Sequence, residues 1–243
     1  MDKLLYTAVS GANRSLSQQQ IHANNLANSN TQGFRADLEK ATATQVMGGG
    51  YNSRVAVLSQ NAGVDMTPAS LQETGRDLDI ALKNQGLIAV LSGGREVYTR
   101  NGQMDVSAEG ALTINGLPVL GDGGPIVLPP YSALSIADDG TIAIIPQAGG
   151  IKTPEEIERI KLVDIPANQL RKNNRGLLVS NRGPAARDET VQVVNKHLES
   201  SNVSAISEMI ASISLSRQFE AQIKMMKVAE DLAQAGNRMI RGS

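Results

Sequence analysis

Leu4 to Phe34 reads LLYTAVSGANRSLSQQQIHANNLANSNTQGF. At about 100° per residue, Leu5, Ala8, Val9, Ala12, Leu16, Ala23, Leu26 and Ala27 fall on one side of a helix as a single stripe. The opposite side carries Thr7, Ser10, Asn13, Ser17, Gln18, Asn24 and Asn25, and the one formally charged residue in the stretch is Arg14. A solvated helix face normally carries Glu and Lys. Neutral polar side chains suit a helix covered on both sides, where Asn and Gln find hydrogen-bond partners and a charge is costly to bury. Asn28, Asn30 and Gly33 enter the left-handed conformation easily and mark a cap and a turn, after which Phe34 can anchor the chain.

The composition narrows the function classes. A chain of 243 residues with 41% hydrophobic content can hold more than one domain. With 2% aromatic residues, no Trp, 23 Gly and 9 Pro, its cores are thin and much of it is turns. A net charge of −1 gives no electrostatic reason to expect nucleic acid or an anionic membrane as partner. Cys is absent, which removes disulfides, thiolate metal sites and a cysteine nucleophile. No stretch approaches the roughly 20 apolar residues of a membrane span, and the start does not read as a cleavable signal peptide.

Four segments are expected. Residues 1–44 hold the N-terminal helix, with a short helical continuation from Ala36, and Gly48, Gly49 and Gly50 make a hinge. Residues 45–77 read as an extended connector. Residues 78–195 alternate with period two and carry the turn dipeptides Asn101-Gly102, Glu109-Gly110, Asn115-Gly116, Asp122-Gly123 and Asp139-Gly140, the pattern of a small antiparallel sheet or barrel. Strands are expected at Ile80–Leu82, Leu87–Leu91, Glu96–Arg100, Gln103–Val106, Ala111–Ile114, Ile126–Leu128, Leu134–Ile136, Thr141–Ile145, Arg159–Ile165 and Leu177–Ser180, with a possible helical turn at Thr153–Glu156. Residues 196–243 hold the C-terminal helix, running from about Asn202 to Arg241. Ile206, Met209, Ile210 and Ile213 cluster on one side of it; Leu215, Phe219, Ile223 and Met226 lie roughly opposite, continued by Ala229 and Ala233. Such a helix needs cover from two directions, unless it kinks and folds back on its own domain. The fold class is therefore α+β, with a long helix at each end and a central small all-β domain, an antiparallel sheet or barrel.

No catalytic constellation stands out. There is no nucleophile elbow, phosphate loop, zinc-protease motif or calcium loop, and His22 and His197 stand alone. Gly121, Gly123 and Gly124 read as a turn, and Asp138 and Asp139 as hairpin chemistry. No enzyme, cofactor or metal is expected. A coiled-coil adapter would need a steady heptad, which Gln222 interrupts.

Ala23-Asn24-Asn25-Leu26-Ala27-Asn28, with Thr31, Gly33 and Phe34, resembles the N-terminal signature of the flagellar axial proteins, the rod, hook and hook-filament junction subunits. Asp79-Ile80-Ala81-Leu82 with Gly86, then Tyr98-Thr99-Arg100-Asn101-Gly102 and Gly110-Ala111-Leu112, is similar to the rod-protein centre. Leu198-Glu199-Ser200-Ser201-Asn202-Val203, Glu208-Met209 and Arg217-Gln218-Phe219-Glu220 resemble its C-terminal helix. Gly121 to Ile126 and the Leu78 to Leu82 spelling look most like the proximal-rod members, with distal-rod or hook-type subunits the alternative.

The resemblance implies N- and C-terminal helices packed together as a coiled-coil-like assembly domain, through which a structural subunit polymerises into a shaft across the periplasm. Implied partners are other copies, other axial proteins and the flagellar type III export apparatus, without a cleaved leader, nucleic acid or membrane insertion. The terminal helices are expected to order only when neighbours cover them. At the N-terminal end the assembly interface is expected at Leu5, Ala8, Ala12, Leu16, Ala23, Asn24, Asn25, Leu26, Asn28, Gly33 and Phe34. At the C-terminal end it is expected at Asn202, Val203, Met209, Ile213, Arg217, Phe219, Glu220, Ile223 and Met226.

Overall fold

The computed structural model describes residues 2–45, 55–147 and 153–242. In chain order the elements are helix α1 (Asp2–Ala27) and strands β1 (Asp37–Gln45), β2 (Val55–Val64), β3 (Leu71–Glu73), β4 (Ile80–Leu82), β5 (Leu87–Ser92) and β6 (Arg95–Thr99). There follow β7 (Asp105–Val106), β8 (Leu112–Ile114), β9 (Leu117–Pro118), β10 (Tyr131–Ile136), β11 (Thr141–Pro146), β12 (Glu155–Arg159) and β13 (Leu162–Val163). A 3-10 turn at Ala167–Gln169 leads to β14 (Leu170–Lys172), β15 (Leu178–Ser180), β16 (Val193–Asn195), β17 (His197–Glu199) and helix α2 (Ala205–Arg241). The chain divides into a helical unit, Met1–Ala27, Asp37–Ala62 and Ser204–Ser243, and a β unit, Asn28–Ala36 and Gly63–Val203.

In the helical unit α1 and α2 run antiparallel. Gly11 meets Gln222, Gln19 donates to Ser216, and His22 meets Glu208, so position numbers rise on one helix as they fall on the other. Helix α1 ends where two successive turns begin: Thr31 N donates to Asn28 O at 3.1 Å and Phe34 N to Thr31 O at 3.2 Å. Ser204 caps α2 by accepting from Ser207 N, with Glu208 in the first turn. The helical continuation expected from Ala36 is overturned: Asp37–Gln45 is a strand paired with β2. Leu38 and Lys40 alternate with Asp37 and Glu39, Thr42 and Thr44 are β-branched, and no apolar stripe supports a helix. The Gly48 to Gly50 hinge lies outside the described residues.

In the β unit the sheets are small and open, so the barrel alternative does not hold. The largest has the order β13-β5-β6-β15-β14. Its two faces feed two cores: Ile88, Val90, Val97 and Leu162 enter one with Ile80, Met104 and Ile142, whereas Leu87, Ala89, Tyr98 and Val163 enter the other with Val64, Leu170 and Leu178. Side-chain alternation explains this split and why Leu87 to Leu91 is continuously apolar. Asn115-Gly116 makes the expected two-residue hairpin turn between β8 and β9, both residues having positive φ, 50° and 75°.

Other expectations need correcting. Asn101-Gly102 is not a hairpin turn; it is the point where the backbone presses on Ile80, since a Cβ on Gly102 would stand 1.7 Å from Ile80 O. Thr153–Glu156 starts no helical turn, because Glu155–Arg159 pairs with β11 and this tertiary ladder overrides the helix propensity of Glu. Arg159–Ile165 is not one strand: the chain leaves β11 at Arg159 and joins β5 at Leu162, with Ile160 and Lys161 bridging to Gly140 and Leu120. Ile126–Leu128 forms no strand, only an isolated bridge between Val127 and Ala111. Residues 196–204, expected within the C-terminal helix segment, precede α2, and His197–Glu199 pairs with β3.

Candidate assembly surface

Helix α1 hides Ala8, Ala12 and Ser15, a line of small side chains that lets α2 approach closely. Its neutral polar flank meets β1 and β2. Ser10 Oγ exchanges bonds with the Val57 backbone at 3.0 and 3.1 Å, Gln18 donates to Glu39, and the Asn25 amide bonds both ways with Asp37 at 2.9 and 3.2 Å. Cover from two directions is thus present on Ser10, Gln18 and Asn25, while Asn13 and Asn24 stay exposed. The hidden face does not coincide with the apolar stripe. It is turned towards the small and polar side, so Leu5, Val9 and Leu16 remain exposed along one edge.

Helix α2 shows both of its stripes. Leu215 is 7% exposed and Ala229 5%, with Phe219, Met226 and Ala233 half-buried on the same side, facing α1. On the opposite side Ile206 is 71% exposed, Ile210 63% and Ile213 57%, and Val228 and Leu232 continue that line. Met209 and Ile223 are exposed at its margins, beside the exposed charges Arg217 and Glu220. Large apolar side chains aligned in solvent make this face a candidate contact surface.

The rest of the N-terminal signature folds into the β unit. Phe34 is buried with Lys172 Nζ 3.9 Å from its ring centre. Gly33 N donates to Glu199 O at 2.8 Å, Ala36 N to Asn202 Oδ1 at 2.8 Å, and Asn202 Nδ2 to Asp65 O at 2.9 Å. Beneath this clasp Arg35, Arg100 and Glu199 form a buried ion cluster, each side chain at most 1% exposed. Arg35 Nη2 meets Glu199 Oε1; Arg100 Nε donates to Glu199 Oε2 at 2.8 Å. Burial alone would raise the Glu199 carboxyl, but the hydrogen bond and charge of Arg100, the Ala69 amide and the charge of Arg35 together hold it below its ordinary value.

The sign of the pH dependence follows. A carboxyl lowered in the folded state contributes stability above its ordinary value of 4.5 and loses that contribution as pH falls through its folded value. Thermal unfolding followed by circular dichroism should show the β unit losing stability below about pH 4.5. Glu199→Gln should be less stable at neutral pH and flatter on the acid side. An unchanged acid limb would remove Glu199 from the acid response.

The expected interface residues therefore separate into three groups. Ala8, Ala12, Asn25, Phe219 and Met226 face the interior of the helical unit, with Leu26 half-buried; Leu5, Leu16, Ala23, Asn24, Met209, Ile213, Arg217, Glu220 and Ile223 are exposed; Asn28, Gly33, Phe34, Asn202 and Val203 lie in the β unit. Sequence reasoning missed Arg35 and its partners as a cluster, although a charge directly after a nearly uncharged run was the available signal. It also left the exposed Ile206, Ile210, Val228 and Leu232 out of the expected interface.

The geometry offers little chemistry. A cleft of about 550 Å³ beside β6 and β15 contains Glu96. That carboxylate is held by Lys161 at 2.8 Å and by the Tyr98 hydroxyl at 2.9 Å, and burial, with Glu96 adding to it, pushes the Tyr98 phenol up to about 12. Among the described residues no group of three or more His, Asp or Glu could hold a metal ion, and no helix is long and apolar enough to cross a membrane.

Residues 5–35 match the family model described as "Flagella basal body rod protein", and residues 194–239 match "Flagellar basal body rod FlgEFG protein C-terminal". The chain is 38% identical to the flagellar basal-body rod protein FlgF of Escherichia coli over 248 residues, covering 99% of both chains. It is 29% identical to FlgF of Caulobacter vibrioides over 245 residues, 97% of this chain and 96% of the relative. Against the rod protein FlgG of Bacillus subtilis it is 26% identical over 257 residues, 96% and 97% of the two chains. With nearly full-length identity above 30% and both terminal segments matched, the chain belongs to the flagellar basal-body rod proteins, a family of structural components and not of enzymes.

Proposed function

We propose that this subunit polymerises through its terminal helices in the proximal part of the rod, within the shaft that transmits torque across the periplasm. Its neighbours are further copies and other rod proteins, and it reaches them through the flagellar type III export apparatus. The stronger match to FlgF than to FlgG, 38% against 26% identity, supports the proximal position over the distal one. The observation that carries the reading is α2: of its 37 residues only Leu215 and Ala229 are buried among the described side chains. A helix about 55 Å long held by so little packing draws its stability from elsewhere, because most helical stability comes from covering an apolar face.

In this reading the outer stripe packs in coiled-coil-like fashion against neighbouring helices, and the terminal helices become firmly ordered only there. Limited trypsin digestion tests it. In the free chain, cleavage is expected at the exposed Arg217, Lys224 and Lys227 while the β unit survives, and the same sites should resist in isolated basal bodies. Equal resistance of α2 and the β unit in the free chain would show helices already secured within the monomer and would overturn assembly-dependent ordering.

A further inference from the structure

Arg100 is seated by the β unit itself. Its Nη1 donates to the carbonyls of Asn84 and Gly86, both at 2.8 Å, in the turn joining β4 to β5, while Nε and Nη2 face Glu199. A buried guanidinium held this way is unfavourable until an anion reaches it. Glu199 brings that anion on β17, and its Oε1 is fixed further by Ala69 N at 2.9 Å. Arg35 takes the same carboxylate from 164 positions away, with the charge of Asp65 a smaller influence. Besides burial, the charge of Arg100 depresses the Arg35 guanidinium, which places two like charges within reach of each other. If Asn28–Ala36 folded down without Glu199, a second buried cation would join the first.

We propose that Arg100, Glu199 and Arg35 form a closure latch, in which the segment following α1 seats on the β unit only once the segment preceding α2 has delivered Glu199. Closure fixes both segments together. Gly33 N reaches Glu199 O at 2.8 Å, Asn202 N reaches Phe34 O at 3.3 Å, and Lys172 Nζ reaches Arg35 O at 2.7 Å. The residues that lead into the two helices are thereby tied side by side in a single late event, and a chain missing either end leaves the latch open.

Hydrogen exchange on the full chain tests the latch. In Glu199→Gln, amides of residues 28–36 should exchange faster by on the order of 100-fold, a loss well beyond that of β5 and β6, which report only the lowered global stability. Adding Arg35→Met to Glu199→Gln removes the second buried cation and should restore most of the protection at 28–36. The proposal is overturned if Glu199→Gln leaves 28–36 protected, or if the double variant exchanges as freely there as Glu199→Gln alone. Should Glu199→Gln fail to fold, pulse labelling of the refolding wild-type chain decides: protection at 28–36 arising with or after that at 197–202 supports the latch, and earlier protection at 28–36 overturns it.

Discussion

Ile210→Asp is expected to abolish incorporation into the rod while leaving the free chain folded. Ile210 is 63% exposed on the side of α2 turned away from α1, in line with Ile206 and Ile213. In solvent a carboxylate there stays hydrated and costs the monomer no more than about 0.5 kcal/mol, mostly as helix propensity. Under a neighbouring helix the same carboxylate loses its water without gaining a partner, a cost of several kcal/mol at each contact. That suffices to cut occupancy by more than about a hundredfold. Ile210→Leu retains apolar volume and should assemble. The measurements are the thermal midpoint of purified protein, expected to match wild type, and recovery of the variant in isolated basal bodies, expected to fail. An Asp variant found in rods at wild-type level would mean that this stripe faces solvent in the assembly.

Gly33→Ala is expected to detach the Asn28–Ala36 segment from the β unit. Gly33 sits at φ +66°, where a non-glycine residue costs about 1 to 2 kcal/mol. Space is the larger obstacle, since a Cβ would stand 2.3 Å from Asn101 N and 2.4 Å from Arg100 C, both backbone atoms that cannot rotate away. Overpacking of this kind adds about 1 to 3 kcal/mol, so the local loss should be about 2 to 5 kcal/mol. Gly75→Ala separates the two causes: its φ is +73° but nothing lies within 4 Å of the added carbon, so it should cost only the conformational part. Thermal unfolding and amide exchange at residues 28–36 read both variants. Equal effects at Gly33 and Gly75 would show that the close approach carries no weight.

The helices were legible because their signals are local. Leu5 to Ala27 and Ile206 to Ala233 repeat at the helical period within a few turns, so the stripe on α1 and the opposed stripes on α2 could be read from spacing alone. Turn chemistry gave Asn115-Gly116 for the same reason. Beyond that, β1 went unread because its pairing with β2 and the hold of Asn25 on Asp37 come from other parts of the chain. The missed strand β17 pairs His197 with Glu73 and Glu199 with Leu71, contacts no short window contains. Asn101-Gly102 has the spelling of a hairpin but serves the approach of Ile80, a tertiary demand. On the two helices, spacing identified which positions are apolar; which of them α1 and α2 cover for each other needed the structure. That is why Ala8 and Ala12 proved internal and Ile206 and Ile210 exposed.

The absence of cysteine from all 243 residues makes one measurement unusually clean: a single Ile210→Cys substitution gives the chain its sole thiol. Maleimide labelling of that thiol, compared between the purified monomer and isolated basal bodies, reports directly whether assembly covers the outer face of α2. The account predicts rapid labelling in the monomer and protection in the rod. Equal labelling in both would contradict it and leave this apolar stripe without a role in assembly.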